Sequence, residues 1–350
     1  MFQLKWNVVK MDNSFHITEK RELAIKPEFY FDSIWNYSIK FNDYYNDNFG
    51  FRIPLISYNN YVKVCWFDLA SNSKVTFGKE DWMYYTVPKV IDNHQGKGYF
   101  TELEMSRIKT ELVQRKDSLT ANGVQYFVVI APDKISVYPE YLPDDFMVSD
   151  SSELDQFIGV MKNTDVEIID LRKVFFKHKH NQQLYFKSDS HWNQHAGFIA
   201  YQEIMNTIQE IYPSVISYAV TDFNIDIRDR IGGDIAELIG IKDFIYEENP
   251  FYEYGPNTPC FDKLKPKEYE FNTNVWKPTY VFEAENTKLP RLLVFNDSYV
   301  DYIHHFFAPS FSRSAFFWMY EFRRDLIQKE NPDIVIQMMV ERSLDKIIVE

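Results

Sequence analysis

Short runs of β-branched and aromatic residues alternate with amphipathic segments along this chain. Residues 101–122 carry apolar side chains at helical spacing, Gly123 ends that pattern, and an apolar run follows at 124–132. Further strand-like runs lie at 166–171, 292–295 and 334–340, with helical segments around 151–163, 193–210 and 319–330. Strands that alternate with helices predict an α/β fold with a largely parallel sheet.

The chain of 350 residues is long enough for one large domain or two ordinary ones. Residues 1 to about 50 are polar and aromatic with a mostly helical pattern, whereas 212–288 are rich in Tyr, Pro, Asn and acidic residues and show few regular periods. We therefore predict an N-terminal helical segment, 1–55, that packs on or leads into the core. A single domain, 56–350, is expected to follow it, with an irregular insertion at about 212–288.

The formal net charge of −13 at pH 7 disfavours nucleic acid as a partner, because phosphate binding needs clustered Lys and Arg. Two cysteines, Cys65 and Cys260, are too few for a disulfide framework or a cysteine-based zinc site. Aromatic residues make up 17% of the chain. Such a content suits a surface that stacks on sugar rings, but core packing explains it as well and is the favoured interpretation.

No apolar run approaches the roughly 18 residues of a membrane span. The first residues, MFQLKW, also lack the apolar region of a signal peptide. Taken alone, these observations indicate a soluble cytosolic protein.

Two short stretches carry groups suited to nucleophilic catalysis. Asp189 stands two residues before His191, and Ser298 follows the apolar run 292–295 after two residues. A serine hydroxyl attacks well only when a base takes its proton, and histidine, with an ordinary pKa near 6.5, suits that role when a carboxylate orients it. Because ligand sites in parallel sheets lie beyond the carboxyl ends of strands, Ser298 is well placed for a nucleophile.

Each of these residues also has a structural alternative. Ser188 or Asp189 could cap the helix that follows, and an Asn-Asp-Ser turn such as 296–298 often serves capping alone. His178, His180, Asp189 and His191 could form a metal cluster, with His304 and His305 as a further pair. The first two, however, lie in a lysine-rich stretch, 173–187, which is typical of a solvated loop. We expect no metal and no cofactor.

Eight segments, in this order along the chain, resemble a known bacterial family. They are DNFGFR at 47–52, GKEDWMYY at 78–85, APDK at 131–134, YPE at 138–140, DSHWN at 189–193, GDIA at 233–236, NDSY at 296–299 and VER at 340–342. The family is that of the SGNH-like polysaccharide O-acetyltransferases, typified by proteins that acetylate alginate, together with the related Asp-His-His-Trp motif proteins. The resemblance runs from about 18 to 347 and implies an SGNH-hydrolase-like three-layer fold.

The resemblance implies Ser298 as the nucleophile, His191 as the base and Asp189 as the acid that orients it. The implied reaction carries an acetyl group, through acetyl-Ser298, to a hydroxyl of an exopolysaccharide, with a membrane-bound acyltransferase as the donor. The order acid, histidine, serine is similar to the permuted order of this family. One departure is Asn296, which stands where the family has glycine.

The resemblance also implies a periplasmic or otherwise extracytoplasmic location, against the indication from composition. The expected membrane anchor would precede the residues of this sequence. Two other functions stay open: an acetyl-esterase on the same substrates, since water can also resolve an acyl-serine, and a non-catalytic glycan-binding scaffold of a cell-envelope assembly.

Five further residues are candidate substrate contacts: Tyr299, Arg342, Lys134, Tyr138 and Trp192. Each has a packing alternative. Tyr299 could touch the acyl group or only pack, Lys134 and Tyr138 could line the cleft or brace it, and Trp192 could wedge the His191 turn against the core. For Arg342, an ion pair with Glu341 is the favoured alternative to binding an anionic sugar or the oxyanion region.

Overall fold

The computed structural model describes residues 23–29, 34–67, 69, 72–256, 258–259, 261–264 and 279–348. The first 22 residues of the predicted N-terminal segment, 1–55, and residues 30–33 therefore lie outside the described part. Helices in chain order are α1 Ile34–Asn48, α2 Arg52–Phe67, α3 Pro88–His94, α4 Glu102–Thr120, α5 Lys134–Val137, α6 Glu153–Met161, α7 Arg172–His178, α8 Gln194–Ile211, α9 Asp234–Leu238 and α10 Arg324–Glu330.

Strands in chain order are β1 Val75–Phe77, β2 Met83–Tyr85, β3 Gln125–Ala131, β4 Glu167–Asp170, β5 Phe223–Ile231, β6 Tyr246–Tyr254, β7 Phe261–Leu264, β8 Thr279–Ala284, β9 Arg291–Asn296, β10 Arg313–Trp318 and β11 Ile334–Val340. The chain divides into two compact units. Unit 1 holds the described residues of Met1–Thr86 with Lys187–Asp189 and Asp229–Glu247, and unit 2 holds Val87–Phe186, Ser190–Arg228 and the described residues of Glu248–Glu350.

Unit 2 is built on a seven-stranded sheet in the order β4-β3-β11-β9-β10-β8-β7. The first five strands are parallel, β8 adds to one edge antiparallel to β10, and β7 pairs antiparallel with β8. The predicted α/β fold with a largely parallel sheet is confirmed. The last of these strands in the chain, β11, lies in the interior of the sheet, between β3 and β9.

Both faces of the sheet are covered, as parallel strands require. On one face, residues such as Val128 and Val335 pack with Leu112 of α4 and Phe157 of α6 in a single apolar cluster. Strand residues that alternate with these, including Phe127 and Ile336, are also buried. On the opposite face of the sheet, the ring of Phe316 in β10 lies 6.1 Å from the ring of Phe307. The Phe307 ring in turn lies 5.2 Å from that of Tyr201 in α8.

Helix ends agree closely with the sequence signals. Thr101 and Glu104 form a capping box at the start of α4, and Gly123 has a φ of +75° just after its end. On α8, the apolar residues at fourfold spacing, Ala196, Ala200, Ile204 and Ile208, are all buried. The apolar periodicity that predicted α8 therefore marks the face of the helix that is buried in the core.

Unit 1 has a small core of its own. Val64 of α2, Val75 of β1, Met83 of β2 and Ile235 of α9 belong to one buried apolar cluster. Strands β1 and β2 pair in antiparallel orientation, and the turn between them places Glu80 and Asp81 at positive φ.

The segment 212–288 differs from the expected irregular insertion. It contains β5, β6, β7, β8 and α9, and β5 and β6 form a two-stranded sheet. In β5, apolar residues alternate with polar and charged ones and most of the strand is exposed, so it lacks the continuous apolar run by which the buried strands were recognised. The predicted division at residue 55 stays a prediction.

Candidate active site

Strand β9 ends at Asn296, and the chain turns directly into a short 3₁₀ helix, Ser298–Tyr302. The buried Asp297 is the cap of this helix, since its Oδ1 accepts a hydrogen bond from the Tyr299 backbone N–H at 3.0 Å. Its Oδ2 accepts another from the Val340 N–H at 2.8 Å. Burial raises the pKa of Asp297 above its ordinary value. Asp297 does the capping in this turn, which leaves the Ser298 hydroxyl available for another partner.

The histidine stretch leads into α8, whose cap is Asn193. The side-chain oxygen of Asn193 accepts from the Ala196 N–H at 3.2 Å. The alternative in which Ser188 or Asp189 caps this helix is therefore wrong, because that position is filled by a residue two places beyond His191.

His191 and Ser298 meet within unit 2. His191 Nε2 lies 2.7 Å from Ser298 Oγ, a hydrogen-bond distance, and both side chains are partly exposed to solvent. This is the contact that general-base activation of a serine requires, because the ring nitrogen can take the hydroxyl proton as Oγ attacks.

Asp189 belongs to unit 1, where it is buried beside Arg230. The Arg230 guanidinium donates a hydrogen bond to Asp189 Oδ2 at 2.8 Å, which compensates the burial of the carboxylate charge. Gly233 lies against the same side chain, and a Cβ on Gly233 would come within 3.0 Å of the Asp189 carboxylate. The GDIA segment at 233–236 thus supplies Gly233, whose lack of a side chain leaves room for the Asp189 carboxylate.

The residue before the acid, Ser188, is held in the same unit. Its Oγ accepts from the Gly233 N–H at 2.8 Å and donates to Glu247 Oε1 at 2.6 Å. Glu247 also accepts from the Lys187 backbone N–H at 2.8 Å, and burial raises its pKa. Glu247 and Arg230 were missed in the sequence because both lie in the segment without a readable pattern, and no local signal points to either.

The predicted substrate contacts are placed where they brace the structure. Tyr299, Trp192, Tyr138 and Lys134 are each at most 4% exposed. Lys134 Nζ donates to the Phe186 carbonyl at 3.1 Å, and the Tyr138 hydroxyl accepts from the Leu184 N–H at 3.0 Å. Burial of this extent favours the packing alternative for all four over contact with a substrate.

Arg342 is also engaged inside the protein. Its guanidinium pairs with Asp133 and lies 3.3 Å from the Tyr299 hydroxyl. The expected ion pair with Glu341 is therefore wrong, because Glu341 instead contacts Ser136 and lies 3.3 Å from His94 Nε2. Asp133 was missed as a partner, although it lies in the APDK segment at the carboxyl end of β3.

One group of potential metal ligands lies in unit 2. His94, Asp133 and Glu341 are buried, with one ligand atom from each within 4.8 Å of the others. Arg342 already neutralises Asp133, and burial raises the pKa of Glu341 to about 8, so Glu341 holds a proton at neutral pH. Metal ligation requires deprotonated groups. The charge of this cluster is instead balanced by the proton on Glu341 and by the Arg342 guanidinium beside Asp133.

Comparison with known families gives a direct match. Residues 75–254, just over half of the chain, match the family described as the SGNH hydrolase-like domain of the acetyltransferase AlgX. The chain belongs to this family. Asp189 and His191 fall inside the matched range, and Ser298 follows it. Membership makes the protein an SGNH hydrolase-like acetyltransferase, and thereby an enzyme.

Solved structures share the fold. Bacillus cereus PatB1 is 19% identical, with a TM-score of 0.57 over 78% of this chain and 97% of PatB1. A DHHW family protein from Eubacterium siraeum is 17% identical, with a TM-score of 0.55 over 70% of this chain and 86% of its own. The O-acetyltransferase domain of Pseudomonas putida AlgJ is 15% identical, with a TM-score of 0.50 over 77% and 92%. No curated protein sequence matches.

Among the helices that the structure describes, none combines the length and the apolar character needed to cross a bilayer.

Proposed function

We propose that this acetyltransferase moves an acetyl group to hydroxyls of a bacterial exopolysaccharide or cell-envelope glycan by way of an acetyl-Ser298 intermediate. The single observation that carries the proposal is the 2.7 Å contact between His191 Nε2 and Ser298 Oγ at the carboxyl end of β9. Membership of the AlgX family supports acetyl transfer as the reaction.

In the first half-reaction, Ser298 Oγ attacks the carbonyl carbon of the acetyl donor while its proton moves to His191 Nε2. The tetrahedral intermediate collapses, the bond from the carbonyl carbon to the donor breaks, and the leaving group takes the proton from His191. In the second, His191 removes a proton from a sugar hydroxyl, whose oxygen attacks acetyl-Ser298. Collapse returns the proton to Ser298 Oγ and leaves the sugar acetylated.

Two further roles complete the proposal. The backbone N–H of Ser298, the first residue of the 3₁₀ helix, is proposed as a donor to the developing oxyanion. Asp189 is proposed as the acid that fixes the tautomer of His191, on the strength of its place two residues earlier in the chain.

The proposed glycan acceptor also suggests where the protein is located and which partner supplies the acetyl group. A glycan acceptor outside the cytoplasm fits a periplasmic or extracytoplasmic protein, and the acetyl donor is proposed to be a membrane-bound acyltransferase. Labelling of the protein in intact cells by a membrane-impermeant amine reagent tests the location, since a cytoplasmic chain would stay unlabelled until lysis.

Turnover of a chromogenic acetyl ester tests the mechanism. The wild-type protein is expected to release the chromophore, and Ser298→Ala and His191→Ala are expected to lose on the order of 10⁴-fold in rate. Intact-mass detection of an acetyl group on Ser298 in the wild type would support the intermediate. Full activity of Ser298→Ala would overturn the assignment.

An acetyl-esterase is the second candidate, favoured by the partial exposure of both His191 and Ser298, which admits water to the acyl-serine. Comparing acetate release with acetylation of an added oligosaccharide separates the two. Predominant sugar acetylation supports the transferase, and acetate release that no sugar diverts supports the esterase. A glycan-binding scaffold would show binding with no acyl turnover.

A further inference from the structure

Tyr299, the residue after the proposed nucleophile, is bonded to both neighbours of the proposed base. Its hydroxyl donates to the Ser190 carbonyl at 2.8 Å, and its own carbonyl accepts from Trp192 Nε1 at 2.8 Å. Ser190 and Trp192 flank His191 in the chain. Tyr299 thus forms hydrogen bonds with the backbone of the residue before His191 and with the side chain of the residue after it.

Ring contacts reinforce these two bonds. The Tyr299 ring centroid lies 5.1 Å from that of His191 and 5.1 Å from that of Trp192, the second pair edge to face. Tyr299 and Trp192 are both fully buried. Since packed aromatic rings resist displacement, the position of His191 relative to the turn at Ser298 is tied to Tyr299.

The hydroxyl of Tyr299 is itself held in place. An Arg342 N–H lies 3.3 Å from that oxygen, the guanidinium lies 5.5 Å from the ring centroid, and Asp133 pairs with the guanidinium. Burial raises the pKa of Tyr299 well above its ordinary value, so the phenol keeps the proton it donates to Ser190. These contacts link Asp133, just after β3, to Arg342, just after β11, and Arg342 to Tyr299, whose ring lies against His191.

We propose that Tyr299 is a positioning residue that sets the reactive distance between His191 and Ser298, and that it does not contact the substrate. The inference rests on the proposed acyl-serine function. Its physical basis is that reacting groups displaced by about 1 Å can lose on the order of 10²-fold in rate.

The test measures how fast Ser298 reacts with phenylmethanesulfonyl fluoride, a small reagent that needs neither sugar nor protein donor. Intact-mass analysis follows the adduct with time and pH. Tyr299→Phe removes the hydroxyl bond to Ser190, and Trp192→Phe removes the indole bond to the Tyr299 carbonyl. Tyr201→Phe is the matched control: Tyr201 is equally buried, and its hydroxyl accepts from the Tyr218 N–H at 3.0 Å, but it lies in α8, ten residues beyond His191 in the chain.

Tyr299→Phe and Trp192→Phe are each expected to slow adduct formation about 10-fold or more, with the pH midpoint of the reaction displaced. Tyr201→Phe is expected to react at the wild-type rate even if its melting temperature falls. With the ester substrate, kcat should fall in the two site variants while KM stays within about twofold.

Wild-type rates in Tyr299→Phe, or equal losses in Tyr201→Phe, would overturn the positioning role while leaving acyl-serine chemistry intact. If the wild-type protein forms no adduct on Ser298 and turns over no ester, the proposed function and the positioning role fail together. If a site variant does not fold, the other still decides, since each breaks a different bond of Tyr299.

Discussion

Gly233 lies against the carboxylate of Asp189 so closely that a methyl group at its Cα would come within 3.0 Å of the carboxyl carbon and oxygen. The two residues are far apart in the sequence and meet inside unit 1, where Arg230 also donates a hydrogen bond to the carboxylate. The absence of a side chain at residue 233 is therefore part of how the acid is placed.

Gly233→Ala is expected to displace Asp189, because a Cβ at this distance cannot be accommodated without movement. If Asp189 orients His191 as proposed, turnover of the acetyl ester should fall about 10-fold or more. Gly159→Ala is the control, since Gly159 lies in α6 with nothing within 4 Å of the added Cβ. The control should keep full activity and gain up to about 1 kcal/mol of stability. Equal activity in both variants would contradict the prediction.

Gly197→Ala should destabilise unit 2. A Cβ on Gly197 of α8 would come within 3.0 Å of the Tyr302 carbonyl, at the end of the 3₁₀ helix that begins with Ser298. Backbone cannot swing away as a flexible side chain can, so a loss of about 1–3 kcal/mol is expected. Chemical denaturation followed by tryptophan fluorescence measures it, and an unchanged unfolding midpoint would show that α8 and this helix can separate freely.

Asp81→Gly is expected to stabilise unit 1. Asp81 has a φ of +68° in the turn between β1 and β2, a conformation that costs an L-residue roughly 1–2 kcal/mol and that glycine adopts freely. Part of the gain is offset by the greater entropy of glycine in the unfolded chain, so a net increase of about 0.5–1 kcal/mol should appear in thermal unfolding. Asp92→Gly, in the interior of α3, should have the opposite effect.

Glu341 should make stability depend on pH. Burial, reinforced by the charge of Asp133, raises its pKa from 4.5 to about 8. Between these two pH values the folded protein keeps a proton that the unfolded chain releases, so this contribution to stability is complete below about pH 4.5 and is lost as the pH rises through 8. Burial lowers the pKa of the neighbouring His94, whose contribution is lost instead as the pH falls.

Glu341→Gln cannot release this proton and should therefore show a flatter decline in the free energy of unfolding between about pH 6.5 and pH 9. Within this range His94 stays neutral in both proteins. Glu210→Gln, an exposed residue of α8, is the control and should follow the wild type. A wild-type slope in Glu341→Gln would mean that the carboxyl group is ionised throughout.

The sequence predicted the strands that are apolar along their whole length. β3, β9 and β11 are buried on both faces, and each was recognised from its composition alone. β10 was not recognised, because it begins with Arg313 and the buried Ser314 and takes its place through pairing with β9 on one side and β8 on the other. β5 is equally hard to predict, because its apolar residues alternate with polar and charged ones and it pairs only with β6 in a largely exposed two-stranded sheet.

The residues of the candidate site could likewise be predicted only in part. Ser298 and His191 were found because both stand at the ends of predictable elements, where chemistry in α/β folds is expected. Arg230 and Glu247 act through contacts with residues about 40 to 60 positions away, which no local pattern encodes. For Tyr299 and Trp192, the sequence shows an aromatic side chain, but only the packing around it decides between a substrate contact and a brace.

The position of β11 gives the protein an order of assembly. Among the described sheet strands, β11 is the last to leave the ribosome, yet it separates β3 from β9 and supplies the Val340 N–H that binds Asp297 beside Ser298. Until residues 334–340 emerge, the two halves of the sheet have no common partner and the serine turn lacks its anchor. A nascent or truncated chain that lacks β11 therefore carries the proposed catalytic residues, Ser298 and His191, without this contact, and we expect the proposed acyl chemistry to begin only once the last strand is in place.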